Sequence, residues 1–367
     1  TLRAILFFRM PVIRLSLPTA RRALGLCVGL VVALVPLTAA AAQRTSTARS
    51  TSTRAIVRPA SRRVVAPART SRVASATRSK AARAARQTRD AQVPKFKLDE
   101  NGALVPDLRA EAAIIYDPQS GHVLWEENSN NQRSIASITK VMTATVFLET
   151  PPDMDREVVV ERADVRAAST THLRAGYHVT VDNLLHLMLI ASDNAAARIL
   201  ARISPYGPQG FIERMNQKAA ELGLENTHYA DPSGLLSANV SSAYDMARLI
   251  TFATNDDRIG SIMRIPHYSF NIGRQTIAIN STNQLVRGGD VDVVGGKTGF
   301  ISAAGYCLAT LLRLPQNGAE VAVVVLGARS NAGRFWETRH LFNWLSTKTQ
   351  EVFGPSPAAA QTLAPTN

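Results

Sequence analysis

The sequence predicts a single α/β (α+β) domain with an antiparallel sheet built from both ends of the chain and a helical subdomain inserted between the two halves. Three observations predict it. A hairpin comes early: Ala112-Ala113-Ile114-Ile115-Tyr116 reads as a strand, Asp117-Pro118-Gln119-Ser120-Gly121 as a turn, and His122 to Glu126 alternates back. Helix-period patterns then occupy the middle of the chain. Strand patterns return at Tyr268 to Ile272, Thr276 to Ile279, Gly305 to Leu312 and Val321 to Leu326, and a helix from about Arg334 to Thr347 closes the domain.

Composition sets the limits. The chain has 367 residues, 46% of them hydrophobic, enough for a sizeable core. Its net charge of +14 invites a nucleic-acid reading, but the charge is unevenly spread. Residues 1–89 hold 18 basic side chains and no acidic one, so the remainder carries 24 basic against 28 acidic, a net of −4. A nucleic-acid-binding domain would carry its basic footprint on the folded part, so no nucleic-acid partner is expected.

The N-terminus reads as a leader. Arg14, Arg21 and Arg22 precede an apolar run from Ala23 to Leu37, followed by small residues through Ala42. This is the pattern of a secretory signal peptide over residues 1–42, and it implies an exported, periplasmic protein that is soluble after cleavage. Residues 43–95 read as a disordered basic Arg/Ser/Ala-rich tether, since such a composition cannot bury enough apolar surface to offset its ordering entropy. The alternative is adhesion of residues 44–89 to anionic envelope polymers. Cys27 lies in the leader, which leaves Cys307 without an intrachain partner. The catalytic domain is expected over 96–353, with a disordered Pro/Ala-rich tail over 354–367.

Within the domain, a helix starts at Ser137 and turns Ile138, Val141, Met142, Thr145 and Val146 inward, ending near Pro151-Pro152. Thr180 can cap a second helix whose Leu184 to Ile190 are apolar nearly all round, the mark of burial in a large core. Ser192-Asp193-Asn194 interrupts it before a helical pattern resumes. Phe211 to Leu222 is amphipathic with Gly223 as its stop. Asp231-Pro232-Ser233-Gly234 is a turn, and Ser241-Ser242 can cap the next helix. Val321 to Leu326 is a continuous apolar run, as in a strand buried on both faces.

Three short signals carry chemistry. Ser137 and Lys140 stand three apart, which puts both on one helix face about one turn apart, and such a lysine can take the proton of the serine hydroxyl. Taken alone, the pair also fits an N-cap serine with an exposed lysine. Ser192-Asp193-Asn194 fits ordinary capping equally well. In Gly295-Gly296-Lys297-Thr298-Gly299-Phe300 the glycines let a ligand backbone approach, and the lysine and threonine could bind a carboxylate, although a solvated turn lysine is the plainer alternative.

Together, in this order and once each, Ser137-x-x-Lys140, Ser192-Asp193-Asn194 and Lys297-Thr298-Gly299 resemble the penicillin-recognising serine acyl-transferases. The stretches Arg133 to Thr145, Asp231-Pro232-Ser233-Gly234-Leu235 and Lys297 to Gly305 look like the D-alanyl-D-alanine carboxypeptidase/endopeptidase family of low-molecular-mass penicillin-binding proteins. The resemblance implies a β-lactamase/transpeptidase-like fold. It makes Ser137 the nucleophile, Lys140 the general base (its pKa pushed down by desolvation and by Lys297) and Ser192 the proton relay. Asn194 would hold Lys140 and the substrate amide, and Lys297 and Thr298 the substrate carboxylate. The N–H groups of Ser137 and Phe300 would form the oxyanion hole, Gly299 and Phe300 would count among the substrate-binding residues, and Arg329 would be a further carboxylate ligand. Implied partners are peptidoglycan stem peptides, with β-lactam antibiotics as covalent inhibitors. No cofactor is implied, and the seven histidines show no metal-ligand spacing.

Carboxypeptidases of this group often add a β-rich domain and a C-terminal amphipathic helix. Here the sequence stops soon after the closing helix, which favours an endopeptidase of D-Ala–diaminopimelate crosslinks over a carboxypeptidase trimming terminal D-Ala. The segment Glu221 to Leu235 lacks the Glu-x-x-Leu-Asn run of class A β-lactamases, which argues against efficient antibiotic hydrolysis. A non-catalytic wall-binding module would be expected to have lost Ser137, Lys140 or Lys297, and all three are present.

Overall fold

A computed structural model describes residues 92–353, together with Arg86 and Arg89. The expected signal peptide, nearly all of the basic tether, Cys27 and the tail over 354–367 lie outside the described residues. A short hairpin, β1 (Phe96–Leu98) and β2 (Leu104–Pro106), leads into β3 (Ala112–Tyr116) and β4 (Val123–Glu127). After β5 (Arg133–Ser134) comes a 3-10 turn, Ala136–Ile138, continued by α1 (Thr139–Phe147). Then follow β6 (Glu157–Val159), α2 (Arg162–Val165), β7 (His178–Thr180), α3 (Val181–Ile190), α4 (Asn194–Ile203) and α5 (Gly207–Glu221). The chain continues with β8 (Val240–Ser241), α6 (Ala243–Thr254), α7 (Asp257–Met263), β9 (His267–Ile272), β10 (Gln275–Asn280) and α8 (Gln284–Gly288). It closes with β11 (Asp292–Ile301), β12 (Gly305–Arg313), β13 (Glu320–Ala328) and α9 (Asn331–Phe353).

The main sheet has five antiparallel strands in the order β11-β12-β13-β3-β4. Late strands meet early ones where β13 pairs with β3, Val324 lying opposite Ile114. The run Val321 to Leu326 is apolar throughout because both of its faces are buried. Val324 and Leu326 join Ile114 in the core shared with the helical subdomain. Val323 and Val325 join Ile115, Phe335, Leu341 and Phe342 beneath α9. A strand's period of two sends alternate side chains to opposite layers, each worth roughly 1.5–3 kcal/mol on full burial.

The helical insert forms by the expected signals. Thr180 Oγ1 accepts from the Asn183 N–H at 3.2 Å and starts α3, whose Leu184, Leu185, Leu187 and Met188 are fully buried. Ser242 caps α6 through the Asp245 N–H at 3.1 Å. Gly223 ends α5 at φ +63°, a conformation that favours glycine.

Several expectations shift. α1 ends at Phe147, before the prolines, and α9 runs from Asn331 to Phe353 rather than from Arg334 to Thr347. Lys297 sits inside an edge strand of the main sheet, not on a solvated turn. The short elements α2, α7 and α8 and the β6–β7 pair lacked a visible sequence period, since each helix spans fewer than two turns and each strand only three residues. Among the described residues no helix is long and apolar enough to cross a membrane.

Candidate active site

Ser137 stands in the 3-10 turn ahead of α1, at the junction of sheet and helical insert. The residue before it, Ala136, is held at φ +50°, in the left-handed region that costs a non-glycine residue about 1–2 kcal/mol. Neighbouring side-chain and backbone hydrogen bonds hold the turn. Thr139 Oγ1 donates to the Ala136 carbonyl at 2.8 Å, and the Ile135 N–H to the Asn239 carbonyl at 3.1 Å. Two glycines allow close approach to the turn. A Cβ on Gly234 would lie 2.0 Å from the Ala136 oxygen, and one on Gly299 would lie 2.5 Å from the Ile135 oxygen and 3.2 Å from the Ser137 nitrogen. The strand carrying Lys297-Thr298-Gly299 is therefore pressed against the serine turn.

Lys140, in the first turn of α1, is completely buried. Its Nζ contacts Ser137 Oγ at 2.9 Å, Asn194 Oδ1 at 2.6 Å and the Ser233 carbonyl at 2.5 Å. Burial is the main force on it and lowers its pKa to about 7. Asp231 and Asp193 pull the other way, and Arg198 adds to the depression. Lys297 is coupled to Lys140 as expected, and the pKa of Lys297 is itself pushed well down by burial, then by Lys140 and Arg334. The contact set decides what neutral Lys140 can do. An amine has two N–H donors and one lone pair, and the Asn194 and Ser233 oxygens only accept. They take both donors, so the lone pair is left for the Ser137 hydroxyl.

Ser233 reaches Lys140 because Asp231 organises its loop. Asp231 accepts from the Ser233 N–H and hydroxyl (both 2.6 Å), the Gly234 N–H (2.8 Å), the Leu236 N–H (2.7 Å) and Asn239 Nδ2 (2.7 Å). These bonds hold its carboxyl below its usual range even though burial opposes them.

The polar break between α3 and α4 does more than cap. Asp193 Oδ1 accepts from the Ala196 N–H at 3.0 Å and starts α4. Its other oxygen accepts from the His172 N–H at 2.6 Å. Asn194 holds Lys140 through its oxygen and the Ala168 carbonyl through its nitrogen at 2.8 Å. One triplet thus fixes the lysine and the segment 168–172, which brings Ser169 and Thr170 to the cleft. Ser192, at φ +62°, lines the cleft, and its hydroxyl has no hydrogen-bond partner among the described residues.

On the opposite wall stand Thr298, Gly299 and Phe300. Thr298 Oγ1 contacts Thr282 Oγ1 at 2.7 Å, and buried Lys297 donates to the Thr298 carbonyl at 3.0 Å. Phe300 is half exposed and stacks on Tyr306, ring centroids 4.2 Å apart. The cleft therefore brings Ser137, Ser192, Asn194, Thr298, Gly299 and Phe300 together, with Lys140 and Lys297 buried beside it. Arg329 is not brought in. It is exposed, and its charge is felt by Glu337 on α9. The arginine that reaches the cleft is Arg334, one turn into α9, which sequence reasoning missed along with Thr282, Ser169, Thr170 and the Ser233 carbonyl. Among the described residues no group of three His, Cys, Asp or Glu side chains is placed to hold a metal ion.

A buried lysine within hydrogen-bond reach of a serine hydroxyl, beside a glycine-bearing strand, defines a serine acyl-transfer site. The chain belongs to the D-alanyl-D-alanine carboxypeptidase family, whose profile matches residues 99–330. It is a serine-type D-alanyl-D-alanine peptidase, a hydrolase. It is 34% identical over 227 residues to the D-alanyl-D-alanine endopeptidase of Haemophilus influenzae, spanning 61% of this chain and 78% of that one. It is 32% identical over 263 residues to the enzyme of the same name from Pseudomonas aeruginosa, spanning 70% of this chain and 83% of that one. The solved Streptomyces K15 DD-transpeptidase shares its fold, with a TM-score of 0.61 and 27% identity over 65% of this chain and 97% of that one.

Proposed function

We propose that the chain is a penicillin-sensitive serine endopeptidase of peptidoglycan that hydrolyses D-Ala–diaminopimelate crosslinks through an acyl-enzyme on Ser137. The observation that carries the chemistry is the 2.9 Å contact of Lys140 Nζ with Ser137 Oγ, made by a buried nitrogen whose other two partners, the Asn194 and Ser233 oxygens, only accept. Ser137 attacks the D-Ala carbonyl, its proton passes to Lys140, and the carbonyl electron pair moves onto oxygen facing the N–H groups of Ser137 and Phe300. Ser192 returns the proton to the leaving amine. Asn194 holds Lys140, and its remaining N–H serves the substrate amide. Lys297 and Thr298 bind the substrate carboxylate. Water then releases the acyl group, and a β-lactam in the same place acylates Ser137 and leaves slowly.

The endopeptidase reading is supported by the length of chain shared with relatives of that name. Trimming of terminal D-Ala from pentapeptide stems is the second reading, favoured by the description of the family. Digestion of purified crosslinked dimers and uncrosslinked pentapeptides decides between them. Loss of dimer to monomer supports the first, and loss of D-Ala alone refutes it.

Export to the periplasm follows from the leader pattern of residues 1–42. N-terminal sequencing of the mature protein tests it, and an intact N-terminus on cytoplasmic protein would refute it. The basic stretch 44–89 serves as a tether, with attachment to anionic envelope polymers as the alternative. Sacculus binding that survives deletion of 44–89 would exclude that attachment.

A further inference from the structure

We infer that Arg334 is a positioning residue for acylation, acting through the peptide bond between Gly299 and Phe300. Its Nη1 donates to the Gly299 carbonyl at 2.9 Å and to the Cys307 carbonyl at 3.2 Å. These two residues are directly opposite across β11 and β12, so one nitrogen grips both strands at the level of the nucleophile. A trans peptide points its C=O and N–H in opposite directions. Holding the Gly299 carbonyl toward β12 and α9 therefore turns the Phe300 N–H outward from the free edge of β11. The Ser137 turn packs against the same residue, since a Cβ on Gly299 would lie 3.2 Å from the Ser137 nitrogen. The Arg334 contact adds to the β11–β12 pairing in holding the Phe300 N–H, assigned to the oxyanion, in that direction.

Among the described residues no carboxylate pairs with Arg334. Its partners are two backbone carbonyls, the Asn331 side chain at 2.5 Å, and the faces of Tyr306 and Phe335 at 5.6 and 4.9 Å. Burial brings its pKa down to about 10, so it is still a cation at neutral pH. A cation on a carbonyl polarises the whole peptide unit and makes its N–H a stronger donor. The same guanidinium lies over Tyr306, on which Phe300 stacks, so side chain and backbone of Phe300 are steadied from one source. Arg334 thus supports the oxyanion through the backbone.

The inference rests on the Phe300 N–H being an oxyanion donor, and its test keeps the two apart. Acylation rates are measured for wild type, Arg334→Gln and Arg334→Lys with a small D-Ala ester and with its thiono counterpart, in which sulfur replaces the carbonyl oxygen. Sulfur is a poor acceptor, so oxyanion donors favour the oxygen substrate. In Arg334→Gln, acylation by the oxygen ester is expected to fall about 10- to 100-fold, a part of what losing a whole donor costs. The thiono ester should lose much less, shrinking the oxygen-to-sulfur preference. Arg334→Lys, which keeps the charge, should recover part of both rate and preference. Equal losses on the two esters, or no loss, would overturn the inference. If Arg334→Gln does not fold, the same ratio in Arg334→Lys decides, and an unchanged ratio overturns the inference. Wild type that prefers oxygen no more strongly than free hydroxide does would instead refute the oxyanion role of Phe300.

Discussion

Lys140 makes the account quantitative. With an ordinary lysine pKa, about three molecules in ten thousand would carry a neutral amine at pH 7. With the pKa lowered to about 7, half of them do. Only the neutral form can accept the Ser137 proton, so acylation should rise tenfold per pH unit below about 7 and level off above it. At pH 5 the rate should be roughly one-hundredth of the plateau. Asn194→Asp places a carboxylate oxygen where an amide oxygen now sits 2.6 Å from Nζ. A carboxylate at that distance favours the ammonium and should move the midpoint up by about 1–3 units. The assay is the second-order rate of penicillin acylation from pH 5 to 10, read by intact mass on quenched samples. A wild-type rate still climbing tenfold per unit through pH 9 would refute the depressed lysine. An unmoved midpoint in Asn194→Asp would refute the assignment of Asn194 Oδ1 as a partner of Nζ.

Two further outcomes follow. Gly299→Ala drives a Cβ into the Ile135 carbonyl and against the Ser137 nitrogen, both rigid backbone, so penicillin acylation should fall by at least about 100-fold, a loss comparable to that of an oxyanion donor; wild-type acylation by this variant would refute the close approach. Glu337, buried with one oxygen accepting from the Ala110 N–H, has its pKa raised to about 7, chiefly by burial. The folded state then holds a proton between pH 4.5 and 7 that the unfolded chain has lost, so stability falls as pH rises through that window. Glu337→Gln should remove that fall, gaining up to about 3 kcal/mol at pH 8 and little at pH 4, as measured by urea melts.

The fold was legible wherever the signal was local and periodic. The hairpin around Asp117 to Gly121, the all-apolar α3 behind Thr180 and the doubly buried β13 each follow from a few adjacent residues. The clustering of Ser137, Lys140, Ser192, Asn194 and Lys297 at one place came instead from the family resemblance that their three motifs carry together. What stayed hidden comes from backbone atoms or from residues distant in sequence. The third contact of Lys140 is a main-chain carbonyl from residue 233, and no side-chain pattern announces it. Arg329 and Arg334 follow the same strand, and the start of α9 at Asn331 decides which enters the cleft. Edge-strand Lys297 resembled a turn residue because its flanking glycines, which normally break strands, are there to admit Thr310, Asn283 and the Ser137 turn.

The central claim is that Ser137 becomes acylated with Lys140 as its base. Intact mass after incubation with a penicillin, for wild type and Ser137→Ala, tests it most directly. One added penicillin on the wild type and none on Ser137→Ala is the expected result. An adduct on both, or on neither while the wild type is folded, would contradict the claim.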